Sequence, residues 1–300
     1  MTNKVVKNDG VSSVGIIGCG WLGSALAYQL QKQGVAVLAT RSNSDNTEQL
    51  KSQGIEAEVL SLPAEQALLN THPIFKQQCL VIAITPQFRQ GRVDYADKVQ
   101  QLVESAKEGN YVEQIVLLSS SAIYNGLSGQ VEEGSTLDMS ADKVSVLNQA
   151  EQAVLNFNSQ SRLNALNDDV GIKKAYVLRL SGLVGPKRHP GKFLLNGRML
   201  KSPQAIVNLI HQQDAVGLIQ ALLQSAICGG VFNGVSSTQV TKKQYYQAAA
   251  SALQLPMPTF EEVDLSAEND PKIVSSKKTQ AELAYAFVYD DLLTWLEQAE

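Results

Sequence analysis

The sequence predicts an α/β fold, a doubly wound parallel sheet with a smaller C-terminal region beside it, and three observations carry that prediction. Short apolar runs of strand length alternate with segments of helical period from Val14 onward. The runs are apolar throughout, as expected for strands covered on both faces. A glycine-rich turn joins the first run to the first helical segment. Strand–helix alternation of this kind wraps a parallel sheet in helices on both sides.

Val14-Gly15-Ile16-Ile17 reads as the first strand, and Leu22, Ala25, Leu26 and Leu30 form one face of the helix after it. Gly34 stops that helix, and residues 35–39 form a second strand. A weaker helix ends at 50–53, and residues 55–60 form a third strand. Residues 79–84 are a fourth strand. Residues 94–107 are a helix with Val99, Leu102, Val103 and Ala106 on one side. Residues 115–118 and 175–178 are the fifth and sixth strands. Gly182, Gly185, Pro186, Pro190 and Gly191 then mark a loop region. Beyond it come a helix over 214–225, a strand at Val231-Phe232 and a helix over 244–253. A helical tail from Lys277 ends in Leu292, Leu293, Trp295 and Leu296. The polar stretch 156–173 reads as a surface insertion. The expected organisation is a tail over 1–12, a dinucleotide-binding domain over 13–180, and a mixed substrate-side region over 181–300 interleaved with the sheet.

With 300 residues, 44% hydrophobic and 18% charged, the chain has the composition of an ordinary soluble globular protein. A net charge of -4 argues against nucleic acid or an anionic membrane as a partner and leaves a small molecule as the expected one. The pairs Lys242-Lys243 and Lys277-Lys278 are isolated and read as solvated faces. Cys19, Cys79 and Cys228 have no metal-ligand spacing, and so sparse a set fits a reducing compartment. The first dozen residues lack the pattern of a signal peptide, and the longest apolar run is far below the ~20 residues of a membrane span. A cytoplasmic location is expected.

Gly18-Cys19-Gly20-Trp21-Leu22-Gly23 is a G-x-G-x-x-G turn between the first strand and the first helix. In a Rossmann domain the first glycine permits the turn, the second lets backbone approach a pyrophosphate, and the third lets helix and strand pack closely. The helix N-terminus then presents unpaired N–H groups and a positive dipole end to the phosphates. At the end of the second strand, an acidic residue would bind the ribose hydroxyls of NAD. This chain has Thr40-Arg41-Ser42 there, and no carboxylate until Asp45. A guanidinium flanked by hydroxyls suits a 2′-phosphate, so NADP(H) is favoured and NAD(H) is the second choice. Thr85, after the fourth strand, and Ser119, at the end of the fifth, complete the candidate cofactor contacts.

Leu117-Leu118-Ser119-Ser120-Ser121-Ala122-Ile123-Tyr124 resembles the SS-x-x-VYG segment of extended short-chain dehydrogenases, the NAD-dependent epimerase/dehydratase family of nucleotide-sugar enzymes. Arg179 to Pro186 is similar to that family's R-x-x-x-x-x-GP loop, and Asn208 to Asp214 to its IHVDD segment. Val231-Phe232-Asn233 is similar to its YN strand, and residues 277–283 to its C-terminal lysine helix. The matches run in order along nearly the whole chain. The resemblance implies that Ser120 donates a hydrogen bond to a substrate oxygen as hydride moves.

The family's acid/base tyrosine and the lysine four residues after it are absent. Glu151 resembles the glutamate that follows them, which puts Lys143 at the tyrosine position and Leu147 at the lysine position. No tyrosine lies between Tyr124 and Tyr176. Lys143 reads as a helix-surface lysine. The ionisable groups left near the site are Tyr124, His189, Lys192 and His211; Ser120, Tyr124 and His189 are taken as catalytic candidates. His211 is expected to fix the loop before its helix, and Asp214 to cap that helix. The pattern implies an NADP-dependent oxidoreductase or epimerase-like enzyme on a small polar or nucleotide-sugar substrate. A non-catalytic NADP(H)-binding sensor or regulatory protein is the alternative. A hydroxyacid-dehydrogenase-like protein shares the opening turn, but its second half would be all helical.

Overall fold

In the computed structural model, residues 10–157, 173–195, 199–261 and 270–298 are described. Most of the polar stretch 156–173 and of the 1–12 tail lies outside the described residues.

Seven strands form one sheet: β1 (Ser13–Ile17), β2 (Ala36–Arg41), β3 (Glu56–Val59), β4 (Cys79–Ile82), β5 (Gln114–Ser120), β7 (Lys174–Leu180) and β10 (Gly229–Gly234). The short β6 (Gln130–Val131), β8 (Gly182–Val184), β9 (Leu209–His211) and β11 (Ile273–Val274) stand outside it. The order across the main sheet is β3-β2-β1-β4-β5-β7-β10. Every pairing is parallel, with Gly15 opposite both Leu38 and Leu80. The order reverses between β1 and β4, which opens a crevice at the strands' C-terminal ends.

Side chains leave each strand alternately, so the sheet has two apolar faces. Val14, Ile16, Val81 and Val116 pack against α1 (Trp21–Lys32) through Leu22, Leu26 and Leu30, and against α6 (Gln212–Leu223). Ile17, Leu80, Ile82, Ile115 and Leu117 pack on the opposite face against α4 (Tyr95–Glu108) and α5 (Asp142–Leu155). A third cluster holds the C-terminal region together. It joins Val184 and Val207 to Tyr245 of α7 (Lys242–Ala252) and to Trp295 of α9 (Leu292–Gln298). The C-terminal half also supplies β10, which pairs with β7 in the main sheet.

Several boundaries differ from the sequence expectation for a shared reason. Strand β2 continues to Arg41, and β5 and β7 reach Ser120 and Leu180, because ladder pairing carries polar residues that apolar runs exclude: Arg41 opposes Val59, and Ser119 opposes Arg179. Helix α2 (Ser44–Ser52) is fixed by Asn43, whose side chain accepts from the Asn46 amide. Helix α3 (Gln66–Thr71) has no sequence signal, since only Leu69 in it is buried. The tail is two helices, because Ala284 adopts a left-handed conformation that ends α8 (Lys277–Leu283). Helix α6 is capped by His211, whose ring accepts from the Gln213 amide at 3.2 Å, and not by Asp214. Asp214 instead accepts from Tyr285 Oη and the amides of Val288 and Tyr289, tying the C-terminal segment to α6.

Candidate active site

A cleft of about 870 Å³ opens at the C-terminal ends of β1, β2, β4, β5 and β7. Its floor is the glycine turn. Gly18 has φ +81°, and a side chain there would strike the backbone of Ala83 and Ile84. A Cβ at Gly23 would lie 3.2 Å from both Ile16 Cγ2 and Cys19 Sγ, so α1 lies close on β1. At Gly20 a Cβ would make only ordinary contacts, with Arg41 Nη1 at 3.4 Å and the Gly18 carbonyl at 3.9 Å, so the space over the turn is open. The first α1 hydrogen bond runs from the Ser24 amide to the Gly20 carbonyl. The amides of Trp21, Leu22 and Gly23 therefore precede the helical ladder and face the cleft with the dipole's positive end.

The Cys19 amide is already used, donating to the Thr40 carbonyl at 2.9 Å, and the Gly18 amide donates to Thr40 Oγ1 at 3.3 Å. Thr40 and Cys19 are thus buried parts of the turn's scaffold rather than cleft-lining groups. Burial pushes the Cys19 thiol up to about 11, so it is a neutral packing group. Its carbonyl has a different use: it accepts from Arg41 Nη1 at 2.9 Å and holds the guanidinium beside the turn. Only one of the five donors of Arg41 is taken this way, and the residue lines the cleft with Ser42. The chemistry of this floor fits a dinucleotide: free helix-end amides for a pyrophosphate, with a held guanidinium at one end.

The opposite wall comes from the loops after β4, β5 and β7. Thr85 is exposed on it. Ser120 accepts from the Ala122 amide at 3.1 Å and keeps its hydroxyl proton to donate. The Ser119 hydroxyl is committed to the Glu151 carboxylate at 2.6 Å, so only the edge of that residue meets the cleft. Leu147 lines the cleft where the resemblance implied a lysine, while Lys143 is exposed on α5.

Two catalytic candidates are placed elsewhere. Tyr124 is fully buried; its hydroxyl donates to Asn233 Oδ1 at 2.8 Å and accepts from Arg179 Nη1 at 2.9 Å. Burial raises its pKa. Among the described residues, neither it nor His189 lines the cleft. His189 is buried beside Trp295 and caps a short turn by accepting from the Gly191 amide at 3.1 Å. Its neighbour Arg188 is the loop residue that reaches the cleft. The Arg188 guanidinium lies 4.3 Å over the Trp21 ring, and Trp21 Nε1 donates to the Pro186 carbonyl at 3.0 Å. Gln212 Nε2 completes the junction by donating to the Trp21 carbonyl.

Most of the motif residues meet below the cleft. Arg179 Nη2 lies 2.7 Å from Glu151 Oε2, both almost fully buried. Around this pair stand Ser119, Tyr124 and Asn233, with Thr279 of α8 donating to the Asn233 carbonyl. One network therefore locks β5, α5, β7, β10 and α8 together. The sequence reading missed Arg92, Lys98 and Arg188 in the cleft wall; Arg92 and Arg188 are on loops, where basic residues carry no periodic signal, and Lys98 in the first turn of α4 reads as an ordinary helix-surface lysine. Together with Arg41 they are the charged residues of the described lining, which holds no Asp or Glu, in a chain of net charge -4.

The sheet order and the glycine turn at the crevice define a Rossmann-like fold. Comparison with known proteins agrees. A family model described as "NADP oxidoreductase coenzyme F420-dependent" matches residues 13–91. Protein YeeZ of Escherichia coli (strain K12) is 29% identical over 287 residues, which cover 94% of this chain and 98% of that one. Among solved structures, the UDP-glucose 4-epimerase of Thermotoga maritima superposes with a TM-score of 0.75 at 13% identity, over 95% of this chain and 96% of that one. The UDP-glucuronic acid 4-epimerase of Bacillus cereus, solved with NAD, gives 0.73 at 15% identity, over 96% and 97%. At these identities the structures show a shared fold. No helix among the described residues is long and apolar enough to cross a membrane.

Proposed function

We propose that the chain binds a nicotinamide dinucleotide in this cleft, NADP(H) in preference to NAD(H), and acts as an oxidoreductase or epimerase-like enzyme on a small polar substrate. The observation that carries the reading is the pairing of free amides at the start of α1 with Arg41 held beside them by the Cys19 carbonyl. The cationic lining supports a polyanionic ligand. Bound nicotinamide supplies hydride chemistry. Of the chain's own groups, Ser120 offers a hydroxyl proton to a substrate oxygen, and Arg188, stacked on the Trp21 ring, adds a second cation beside the turn.

Leu147 and the exposed Lys143 favour a second reading, a protein that binds NADP(H) without turnover. Both readings share the binding step, so calorimetry is the first test. NADPH binds more tightly than NADH to the parent protein. Arg41→Ala loses about 1.5–3 kcal/mol of a charged hydrogen bond, roughly 10- to 150-fold in NADPH affinity, with little change for NADH. Equal affinities for the two nucleotides in the parent defeat the NADP(H) assignment. Assay of a carbonyl and sugar-nucleotide panel, with Ser120→Ala as the control that lowers turnover, then separates enzyme from binding protein.

A further inference from the structure

Five buried side-chain polar atoms have no hydrogen-bond partner among the described residues: Tyr95 Oη, Ser181 Oγ, His189 Nε2, Gln220 Nε2 and Tyr245 Oη. Native interiors rarely leave such groups unpaired, and an orphan next to a cavity points to what the cavity holds. Two of the five, those of Tyr95 and Ser181, belong to residues that line the cleft.

Tyr95 is the stronger case. It opens α4 and is only 2% exposed, fixed in the same apolar cluster as Ile123 and Leu147. A phenol wedged in this cluster beside the cleft cannot swing out into bulk water. Its surroundings place it at a particular end of the cleft. Helix α4 packs on α5, whose Glu151 is bonded to Ser119 at the end of β5. Arg41 and Ser42 stand after β2, three strand spacings away through β1 and β4, roughly 14 Å. An extended dinucleotide spans that interval, with its adenosine at Arg41 and its nicotinamide riboside at β5. The phenol remains protonated, because burial and then the Glu151 charge raise its pKa. It is therefore a donor and not a base.

We propose that Tyr95 Oη donates a hydrogen bond to the nicotinamide half of the dinucleotide, on the wall where Leu147 offers no polar group. This inference rests on the nucleotide reading above and adds to it a residue and a position.

The test is calorimetry with two probes, NADPH and adenosine 2′,5′-bisphosphate, which lacks the nicotinamide riboside. Tyr95→Phe keeps the ring and removes only the unpaired oxygen. It weakens NADPH binding on the order of ten-fold. Adenosine 2′,5′-bisphosphate binds the variant as it binds the parent, and the melting temperature of the ligand-free protein does not fall. NADPH affinity within two-fold of the parent overturns the inference, and so does an equal loss for both probes. A drop of several degrees in the ligand-free protein also overturns it, since the hydroxyl then has a partner inside the fold. A parent protein that binds neither probe is a different result: it defeats the nucleotide reading itself and takes this inference with it.

Discussion

Replacing Glu151 by glutamine tests whether the motif residues of this fold hold the cleft up or work inside it. Glu151 and Arg179 are 1% and 4% exposed. Three guanidinium contacts, at 2.7, 3.1 and 3.1 Å, and the Ser119 hydroxyl at 2.6 Å converge on one carboxylate. Glutamine keeps the volume but removes the charge, and its amide turns a donor toward groups that are themselves donors. The Arg179 guanidinium is then buried without a counter-charge, at a cost of about 3–5 kcal/mol. A chain of this length has an unfolding entropy near 0.6 kcal/mol/K at about 2.1 cal/mol/K per residue, so the melting temperature falls by about 5–8 °C. Calorimetric or circular-dichroism melting reads this directly. Replacing both partners, Glu151→Leu with Arg179→Met, recovers more than half of the loss, because no lone charge remains. A Glu151→Gln protein that melts within about 1 °C of the parent refutes the reasoning, since the pair must then be solvated.

Tyr124→Phe leaves Asn233 Oδ1 without its donor and costs about 1–2 kcal/mol of stability, while NADPH affinity in the same sample is unchanged; a ten-fold loss of affinity returns Tyr124 to the binding site. His211, with Tyr289 at 4.0 Å and Trp295 at 5.0 Å between ring centroids, is pushed down to about 4 by burial. Its folded pKa lies below its ordinary 6.5, so the unfolded chain binds the proton first. Stability from this group is whole above that value and is lost as pH falls from 6.5 toward about 4. The melting temperature therefore drops between pH 7.5 and 5.5, and His211→Asn, which retains an acceptor for the cap, reduces the drop; identical pH slopes in the two proteins refute this. The described cleft lining holds no carboxylate, imidazole or thiol. Any turnover then shows no enzyme group titrating between about pH 5 and 8, and a bell-shaped kcat profile shows that a base outside this lining takes part.

The sheet was legible because parallel strands covered on both faces must be apolar, and in this chain Val14 to Ile17 and Cys79 to Ile82 are. The glycine turn was legible because its glycines answer separate steric demands, and the structure shows two of them: a positive φ with close backbone at Gly18 and close helix–strand packing at Gly23. Side-chain destinations were harder to read. Tyr124 and Arg179 belong to motifs near the crevice, but the pleat of β7 decides which face Arg179 leaves from, and a short 3-10 turn after β5 carries Tyr124 into the core. His189 and Arg188 show the same limit on a loop: they are adjacent, yet one packs on Trp295 and the other reaches the cleft. Tyr95 gave no signal at all, because an aromatic at the start of an amphipathic helix reads as core. It is core, apart from one oxygen atom.

The leucine at 147 changes what the cleft selects. With Leu118, Leu180 and Leu183 it makes the β5–β7 side apolar, while Arg41, Arg92, Lys98 and Arg188 supply positive charge elsewhere in the lining. A lysine at 147 would add a fifth cation and repel the others across a low-dielectric space; leucine instead gives a flat apolar ring something to lie against. Asp94 binds Arg92 and Lys98 at 2.9 Å each, which leaves Arg41 and Arg188 as the cleft cations without a carboxylate partner among the described residues. Those two flank the glycine turn, Arg41 on the Cys19 carbonyl and Arg188 on the Trp21 ring. The charge not already spent inside the protein is therefore concentrated where the α1 amides converge. On the proposed nucleotide reading, such a site would hold its ligand by the phosphates and let the far end rest on hydrocarbon, with Ser120 and the Tyr95 hydroxyl as the fixed polar points there.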